Sequence, residues 1–229
     1  MTSQNPGIFR EFAADFDVEF HEIDVYAGDT LPDPAGFDGL WVMGGSMHVW
    51  EEQDFPWLIE EKSIIQAAIR QLELPFLGIC LGHQLAAEAL GGQVTCATNP
   101  EIGNFKIYPT DEGSNHPFLA GLVDTISWAN VHTAEVSVAP PGSTIIARSN
   151  RCGNHVMQLA PGAYSVQFHP EVCTTTLPDW LEIPDILPFF EQMLGGDGFE
   201  TFKTEIERHR VQNNLAARRL FENWLSLVF

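Results

Sequence analysis

One cysteine of this sequence lies at the junction between a predicted strand and a predicted helix. The apolar run from Phe76 to Ile79 is typical of a buried strand, and Gln84 to Leu90 has the pattern of a helix. Cys80 lies between them, with Gly78 two positions before it and Gly82 two positions after it. These glycines permit a tight turn that holds the side chain outside the sheet, at a helix N-terminus that stabilises an anion. A thiol in that position can act as a nucleophile.

The flanking glycines distinguish Cys80 from the other three cysteines. A cysteine after an apolar strand is more often a small buried hydrophobe than a nucleophile, so the residue type alone carries little weight. Cys96, Cys152 and Cys173 lack such glycines, and we interpret them as buried or inert. The spacing contains no Cys-x-x-Cys pair for a metal or redox site and favours a reducing compartment. Because the first residues also lack the pattern of a signal peptide, we predict a cytoplasmic protein.

A histidine and a glutamate follow a second apolar run. Tyr164 to Phe168 predicts a strand, and His169, Pro170 and Glu171 come directly after it. Strand ends commonly carry the functional residues of open α/β sheets. Pro170 pushes His169 toward extended geometry, so Glu171 can fold back and accept a proton from the ring nitrogen that faces away from the thiol. Together with Cys80, these residues predict a Cys-His-Glu triad.

Two other histidines compete with His169 for the role of base. His83 lies three residues beyond Cys80, where its geometry for accepting the thiol proton is poor. His132 follows a predicted strand but has no carboxylate before Glu135. We interpret the remaining histidines as surface or structural residues: His21, His48, His116, His155 and His209.

The composition limits the classes of partner and the number of domains. The chain has 31 acidic and 11 basic residues and a formal charge of −20, which repels phosphate backbones and anionic membranes, so we predict neither nucleic-acid nor membrane binding. Its 229 residues, of which 45% are hydrophobic, suffice for one large core. We therefore predict a single domain over residues 1–229, with 199–229 as a C-terminal helical segment docked on it. An oligomer contact through that segment remains open.

Apolar periodicity predicts the elements that position these residues. A helix from Ile8 to Phe16 and a strand from Val18 to Val25 are expected first, followed by a short buried strand from Gly39 to Met43 and a helix from Trp57 to Leu72. Short β-rich runs separated by turns fill the region between Gly103 and His169. Alternating helices and strands followed by such runs predict an α/β fold whose sheet has mixed strand directions.

These motifs resemble those of the class I, or triad, glutamine amidotransferases. Gly78 to Gln84 is similar to the nucleophile motif of that family, Phe168 to Glu171 to its His-x-Glu motif, and Gly44-Gly45 to its oxyanion-loop glycines. Glu101 to Gly103 and Trp128 to Val136 are similar to segments of the branch that contains the glutaminase part of GMP synthetase. The resemblance implies a flavodoxin-like α/β fold with a mostly parallel open sheet, flanking helices and additional antiparallel strands.

The resemblance also implies a reaction. Cys80 would attack the side-chain amide of glutamine to give a γ-glutamyl thioester and ammonia, and water would then release glutamate. The backbone N–H groups of Gly45 and Leu81 would form the oxyanion hole. No metal or organic cofactor is implied, and the ammonia would pass to an acceptor or to a separate synthetase. Three positions correspond to residues that hold the amino-acid end of glutamine: Gln84, Val131 and His132.

The sequence departs from the family pattern in three places. Ser46 follows the oxyanion glycines where the family commonly has a proline, and Ala134 stands near the usual position of an acidic residue. The family also begins with an apolar strand, for which the segment from Met1 to Pro6 is too short and too polar. We therefore expect either a shortened sheet or a gene start further upstream.

Two alternatives to glutamine hydrolysis remain open at this point. The same triad could hydrolyse a γ-glutamyl amide or peptide in a stand-alone enzyme, because the sequence contains no Gly-rich ATP-binding loop of a synthetase domain that would use ammonia. The chain could also be a non-catalytic regulatory module. The presence of Cys80, His169 and Glu171 argues against such a module, which has no chemical reason to keep all three.

Overall fold

The fold is described from a computed structural model for residues 5–122 and 127–229. The strands are, in chain order, β1 Leu40–Val42, β2 Phe76–Ile79, β3 Gln93–Lys106, β4 Tyr108–Pro109, β5 Ser127–Val138, β6 Thr144–Arg148, β7 Val156–Ala160 and β8 Ala163–Val166. The helices are α1 Phe9–Ala13, α2 Trp57–Arg70, α3 Leu81–Ala89, α4 Thr176–Trp180, α5 Ile186–Leu194 and α6 Gly198–Val228. Among the described residues, no helix combines the length and apolar character needed to cross a membrane.

Six strands form the main sheet in the order β1-β2-β8-β7-β6-β4. β1, β2 and β8 are parallel neighbours, whereas β7, β6 and β4 continue the sheet through antiparallel pairs. β3 and β5 form a separate antiparallel ribbon. The predicted fold class is therefore confirmed: an α/β sheet flanked by helices, with additional antiparallel strands. The parallel part brings the ends of β2 and β8 together, where the predicted site residues follow.

The sheet separates two apolar layers. One layer contains α2 and α3, and it buries Leu58, Ile65 and Leu85 against the sheet. The other contains α1 and the C-terminal part of α6, and it buries Phe9 and Phe221. Side chains of β1 alternate between the layers, because successive strand residues point to opposite faces of a sheet. Both faces of the parallel strands are thus covered by helices, as is usual for parallel sheets.

α6 is a single helix of 31 residues that contacts two parts of the core. Phe202 and Ile206 near its start pack with α4 and α5. Trp224 near its end packs on the main sheet and donates its indole N–H to the carbonyl oxygen of Phe76 at 3.2 Å. These contacts support our proposal that residues 1–229 form one domain, on which the segment 199–229 is docked.

The prediction of a strand from Val18 to Val25 is wrong. Residues 18–24 have no regular secondary structure, and Val25–Ala27 forms a 3₁₀ turn. Alternating side chains describe a strand only when a neighbouring strand accepts its backbone hydrogen bonds, and the described residues place no such neighbour beside this segment. β1 is accordingly an edge strand, paired only with β2. The expected shortened sheet thus remains one of the two explanations considered above.

The ribbon of β3 and β5 also differs from the prediction. The runs Thr125–Ala129 and Glu135–Ala139 were expected as separate strands, but residues 127–138 form the one strand β5, and residues 125 and 126 lie outside the described part of the chain. β3 begins at Gln93, in a polar stretch that shows no apolar alternation. Such a strand is defined by its pairing with β5, which a local pattern does not reveal.

Candidate active site

Cys80 lies on a strained turn between β2 and α3. Its backbone has φ 52° and ψ −104°, a conformation that residues other than glycine rarely adopt. Hydrogen bonds hold the turn, since the N–H of Cys80 donates to the carbonyl oxygen of Val166 at 2.9 Å and the N–H of Gln84 donates to that of Cys80 at 3.2 Å. The side chain is 5% exposed. The turn therefore fixes the thiol at the N-terminus of α3 and at the wall of a pocket.

The two glycines around Cys80 are required by close backbone packing. A Cβ atom on Gly82 would lie 2.0 Å from the carbonyl oxygen of Val42 in β1, and one on Gly78 would lie 2.7 Å from the carbonyl oxygen of Gly82. The N–H of Gly82 also donates to the carbonyl oxygen of Met43 at 3.1 Å. Any larger residue would push α3 away from the sheet and displace the thiol, which explains the glycine pattern in physical terms.

His169 and Glu171 follow β8 and form a buried pair. Nδ1 of His169 lies 2.6 Å from Oε1 of Glu171. The backbone N–H of His169 donates to the carbonyl oxygen of Ala129 in β5 at 2.8 Å, which fixes the loop, and Trp180 packs edge-on against the imidazole with ring centroids 5.1 Å apart. The glutamate thus orients the ring and leaves Nε2 available to the pocket.

The His169 imidazole interacts with Cys80 on its other side. Burial alone would lower the pKa of His169, but the charges of Glu171 and Cys80 and a side-chain hydrogen bond with Cys80 outweigh burial, so the pKa lies well above its ordinary value. A ring that readily holds a proton beside a sulfur atom favours a thiolate–imidazolium pair. The arrangement can therefore generate a sulfur nucleophile and a nearby proton donor.

A pocket of about 220 Å³ opens over this pair. It is smaller than the roughly 300 to 1,000 Å³ typical of drug-sized ligands and suits a small molecule of amino-acid size. Seven of the eight predicted site residues line it, and the eighth, Glu171, lies behind His169. The seven are Gly45, Cys80, Leu81, Gln84, Val131, His132 and His169.

Gln84 lines the pocket, but its side-chain amide is already engaged. Nε2 of Gln84 donates to the carbonyl oxygen of Ala134 at 3.1 Å and to Oε1 of Gln167 at 3.1 Å. Gln167 in turn directs its own Nε2 toward Sγ of Cys80 at 3.7 Å. Sequence reasoning missed Gln167, although its position two residues before His169, at the end of β8, was the available signal.

A second buried network, also missed from the sequence, surrounds Glu101 of β3. Its Oε2 lies 3.0 Å from Nε2 of His132 and 2.9 Å from Nε2 of His155, and its Oε1 accepts from Ser149 at 2.6 Å. Burial raises the pKa of Glu101, but the hydrogen bonds from the two histidines outweigh burial and hold the pKa below its ordinary range. His155, which we interpreted as a surface or structural residue, is the fully buried part of this network.

The network fixes the charge and orientation of His132 at the pocket wall. Nδ1 of His132 faces the carbonyl oxygen of Ala134 at 3.0 Å, while Nε2 faces the Glu101 carboxylate. Both neighbours are acceptors, so the ring satisfies them only as an imidazolium that donates from both nitrogens. Burial lowers the pKa of His155 and favours its neutral form. The network thus joins one carboxylate to one cationic ring beneath the predicted substrate pocket.

The same three side chains are the metal-ligand candidates of the described residues. One donor atom each from Glu101, His132 and His155 lies within 4.8 Å of the others. The two histidine nitrogens are already at hydrogen-bond distance from a single carboxylate oxygen, and Zn–N and Zn–O bonds would need contacts of about 2 Å to a common ion. The hydrogen-bonded arrangement accounts for all three groups, and we assign no metal to them.

The other competitors for the base lie elsewhere. His83 is fully buried, and its Nδ1 lies 2.9 Å from Oγ of Ser165. Burial lowers the pKa of His83 to about 3, so it is a neutral structural residue. His48 lines the pocket, and its Nε2 lies 3.2 Å from Oγ1 of Thr133. Of the three histidines considered for the base, only His169 has both a carboxylate partner and a hydrogen bond with Cys80.

Comparison with known proteins decides the family. The model of the family "Glutamine amidotransferase class-I" matches residues 8–182, which is most of the chain. The chain belongs to the class I glutamine amidotransferases. The glutamine amidotransferase-like protein YfeJ of Salmonella typhimurium is 30% identical over 172 residues, covering 73% of this chain and 71% of that protein. The glutamine-hydrolysing subunit of GMP synthase from Methanococcus maripaludis strain C5 is 42% identical over 108 residues.

The similarity to the GMP synthase protein is partial, whereas the structural similarity extends over the chain. The matched segment spans 47% of this chain and only 56% of the Methanococcus protein. A solved glutamine amidotransferase from Methylobacillus flagellatus superposes with a TM-score of 0.81 at 27% identity, covering 99% of this chain and 91% of that one. The amidotransferase fold therefore includes the C-terminal helix, which lies beyond the family-model match.

Proposed function

We propose that this amidotransferase hydrolyses the side-chain amide of glutamine. The observation that carries the proposal is the convergence of the Cys80 elbow and the hydrogen-bonded His169–Glu171 pair on one pocket of amino-acid size. The names of the GMP synthase subunits that the chain resembles include the hydrolysis of glutamine, which supports the same substrate. Only part of each of those proteins is matched, so the site geometry carries more weight than the names.

The proposed first step is acylation of Cys80. His169 holds the thiol proton as an imidazolium, and the sulfur forms a bond to the amide carbon of glutamine. Negative charge develops on the amide oxygen, which the N–H groups of Leu81 and Gly45 would stabilise. Leu81 is the first residue of α3, so its N–H has no acceptor within the helix. In comparable sites, loss of one such donor costs roughly 3 to 4 kcal/mol of transition-state stabilisation.

The second half of the reaction releases both products. Transfer of the proton from His169 to the amide nitrogen breaks the carbon–nitrogen bond, so that ammonia leaves and a γ-glutamyl thioester remains. Neutral His169 then removes a proton from water, whose oxygen attacks the thioester carbon and releases glutamate and the sulfur. Glu171 keeps the ring oriented and stabilises its charged form throughout.

The fate of ammonia is a separate part of the proposal. We infer that the chain delivers it to a synthetase or another amide-acceptor enzyme on a separate polypeptide. The relatives named as subunits of GMP synthase support a partner of that kind. The proposed location is the cytoplasm, since all four cysteines are free, as a reducing compartment favours.

One observation favours a second candidate, the hydrolysis of a γ-glutamyl amide or peptide. Ala134, where the family commonly has an acid, offers no charge to the α-amino group of free glutamine. Asp185 is the only carboxylate among the described residues that line the pocket, and it is an exposed residue at the start of α5. A substrate whose α-amino group is already bonded would need no such partner. A non-catalytic module is disfavoured because the thiol and its base are in contact.

A panel of γ-glutamyl compounds tests the choice between the two substrates. We expect purified protein to release ammonia from free glutamine, with a kcat/KM higher than for γ-glutamyl-alanine or γ-glutamyl-ethylamide, as measured by coupled ammonia and amine assays. Free asparagine serves as the control of chain length. If the γ-glutamyl peptides react and glutamine does not, the second candidate replaces the first. Inert protein toward every compound, with and without candidate synthetases, would favour the non-catalytic module.

Replacement of Glu171 by glutamine tests the positioning role by its effect on pH dependence. The carboxylate raises the pKa of His169 against the effect of burial, so Glu171→Gln lowers that pKa and removes the imidazolium at lower pH. We expect the alkaline limb of the kcat/KM profile to move down by about one pH unit or more. We also expect kcat to fall by about 10²- to 10⁴-fold, because the ring loses its orienting acceptor.

Exposed Glu182 provides the matched control for that experiment. Glu182→Gln removes the same charge on the same side of the chain and should leave both kcat and the alkaline limb unchanged. A Glu171→Gln protein that is folded and retains the wild-type alkaline limb would show that Glu171 does not act through His169.

A further inference from the structure

A long groove follows the free side of β1. All residues from Gly39 to Met43 line it, and its volume is about 1390 Å³, larger than the roughly 300 to 1,000 Å³ of small-molecule pockets. The opposite wall is the segment 17–26, which has strand-like alternation but pairs with no described strand. The N–H of Leu40 donates to Pro75 at 2.8 Å, so alternation along the strand turns the N–H of Trp41 toward the groove. The groove thus has the position of a missing strand.

The helical layers on both faces of the sheet extend over this groove. On one face, α2 presents a stripe of Trp57, Glu61 and Ile64 to the groove, at the spacing of residues on one side of a helix. On the other face, α6 contributes Trp224 and Leu225. An extended segment in the groove would therefore be covered on both faces, as β2 is. Such buried strands are continuous apolar runs.

The charges around the groove are almost all negative. Glu61 projects from the α2 stripe, and burial, with no compensating partner among the described residues, raises the pKa of its carboxyl group to about 7. Arg10 is the only arginine or lysine among the described lining residues, and it is paired with Glu22. The lining carboxylates are Asp17, Glu19, Glu22, Asp24, Asp29, Asp38, Glu61, Asp179 and Glu222. A cationic group on an occupant would be favoured, above all beside Glu61.

We propose that the groove binds an extended segment of a partner polypeptide that adds to the sheet as a strand beside β1. Its backbone would pair with the free edge of β1, its apolar side chains would pack between α2 and α6, and one lysine or arginine would face Glu61. Strand addition of this kind derives affinity from backbone hydrogen bonds and specificity from the side-chain positions. The site lies beside the proposed active site but does not depend on the reaction assigned to it.

A designed peptide tests the proposal. The probe has nine residues, with valine and isoleucine around a central lysine and an arginine at each end, and its control has two of the valines replaced by proline, which removes backbone donors. We expect the probe to bind the full chain and the proline control to bind at least about tenfold more weakly. Hydrogen exchange of the Trp41 amide should slow by at least about tenfold on binding.

Two variants of α2 isolate the charge. Glu61→Gln should weaken binding of the probe by about tenfold, because the lysine loses its ionic partner. Glu60→Gln is the matched control, since Glu60 is exposed and does not line the groove. Thermal unfolding should show that both variants remain folded.

Three results would overturn the proposal. They are equal binding of the two peptides, an unchanged exchange rate of the Trp41 amide in the complex, and equal affinity of the Glu61→Gln variant and wild type. A Trp41 amide that is already protected without peptide would also overturn it. Protection that rises with protein concentration would identify a second copy as the occupant, and protection independent of concentration would identify a segment of the same chain.

Discussion

Replacement of Cys80 by alanine is expected to abolish release of ammonia from glutamine. The thioester route requires the sulfur, and removal of a nucleophile that acts as a unit with its base typically lowers kcat by about 10⁶-fold. Stability should change little, because alanine keeps the small apolar volume that Cys80 contributes to the core. The measurement is initial-rate ammonia release at saturating glutamine, together with thermal unfolding of the same preparation.

Exposed Cys96 provides the matched control. Cys96→Ala removes a thiol from β3 and should retain full activity, as should a protein in which Cys173 is also replaced. If the Cys80→Ala protein is folded and keeps more than about one per cent of the wild-type rate, catalysis does not use this thiol.

Replacement of Glu101 by glutamine is expected to have the largest effect on stability. The carboxylate accepts from three buried donors, on His132, His155 and Ser149. A glutamine side chain substitutes an NH₂ group for one acceptor oxygen and leaves a cationic ring without its counter-charge. Breaking a buried ion pair from one side typically costs about 3 to 5 kcal/mol of unfolding free energy. Urea unfolding at neutral pH measures the loss.

The pH dependence of that loss has a defined sign. Since the pKa of Glu101 is held below its ordinary range in the folded protein, its contribution to stability is complete above the unfolded pKa of a glutamate. The contribution declines as the pH falls below that value toward the folded pKa. The stability difference between wild type and Glu101→Gln should therefore shrink in acid. Exposed Glu112→Gln should show less than about 0.5 kcal/mol at any pH, and a similar small effect of Glu101→Gln would contradict the network.

Glu101→Gln also connects the network to the pocket. His132 lines the pocket and is oriented by Glu101, so the variant should raise KM for glutamine more than it lowers kcat. This outcome would support the proposed contact of the His132 region with the amino-acid end of the substrate.

The elbow and the histidine–glutamate pair were predictable because their determinants are local. The tight turn at Cys80 depends on glycines two residues away, and the packing against Val42 shows why those positions have no side chain. His169 and Glu171 are separated by one proline, so a short stretch of backbone is enough to bring them to 2.6 Å. Sequence patterns report such features well because few other residues take part.

The Glu101 network could not be read from the sequence in the same way. Glu101 and His132 face each other only because β3 and β5 pair in one register, and that register shifts between Cys96 and Glu101. His155 arrives from a different sheet. The segment 18–25 failed for a related reason, since its alternation indicates a strand only when a neighbour supplies hydrogen bonds. Long-range pairing decided both cases.

The central claim is that Cys80 is the nucleophile and is activated by His169. A glutamine analogue that carries a chloromethyl ketone in place of its side-chain amide tests it directly, because the reagent alkylates the thiolate that occupies the substrate site. The four cysteines of the chain compete for the reagent, and peptide mass spectrometry locates the label. We expect a single label on Cys80, blocked by glutamine and slowed at least about tenfold in a His169→Asn variant. Labelling of Cys96 or Cys173 at the same rate as Cys80, or labelling that glutamine does not reduce, would contradict the claim.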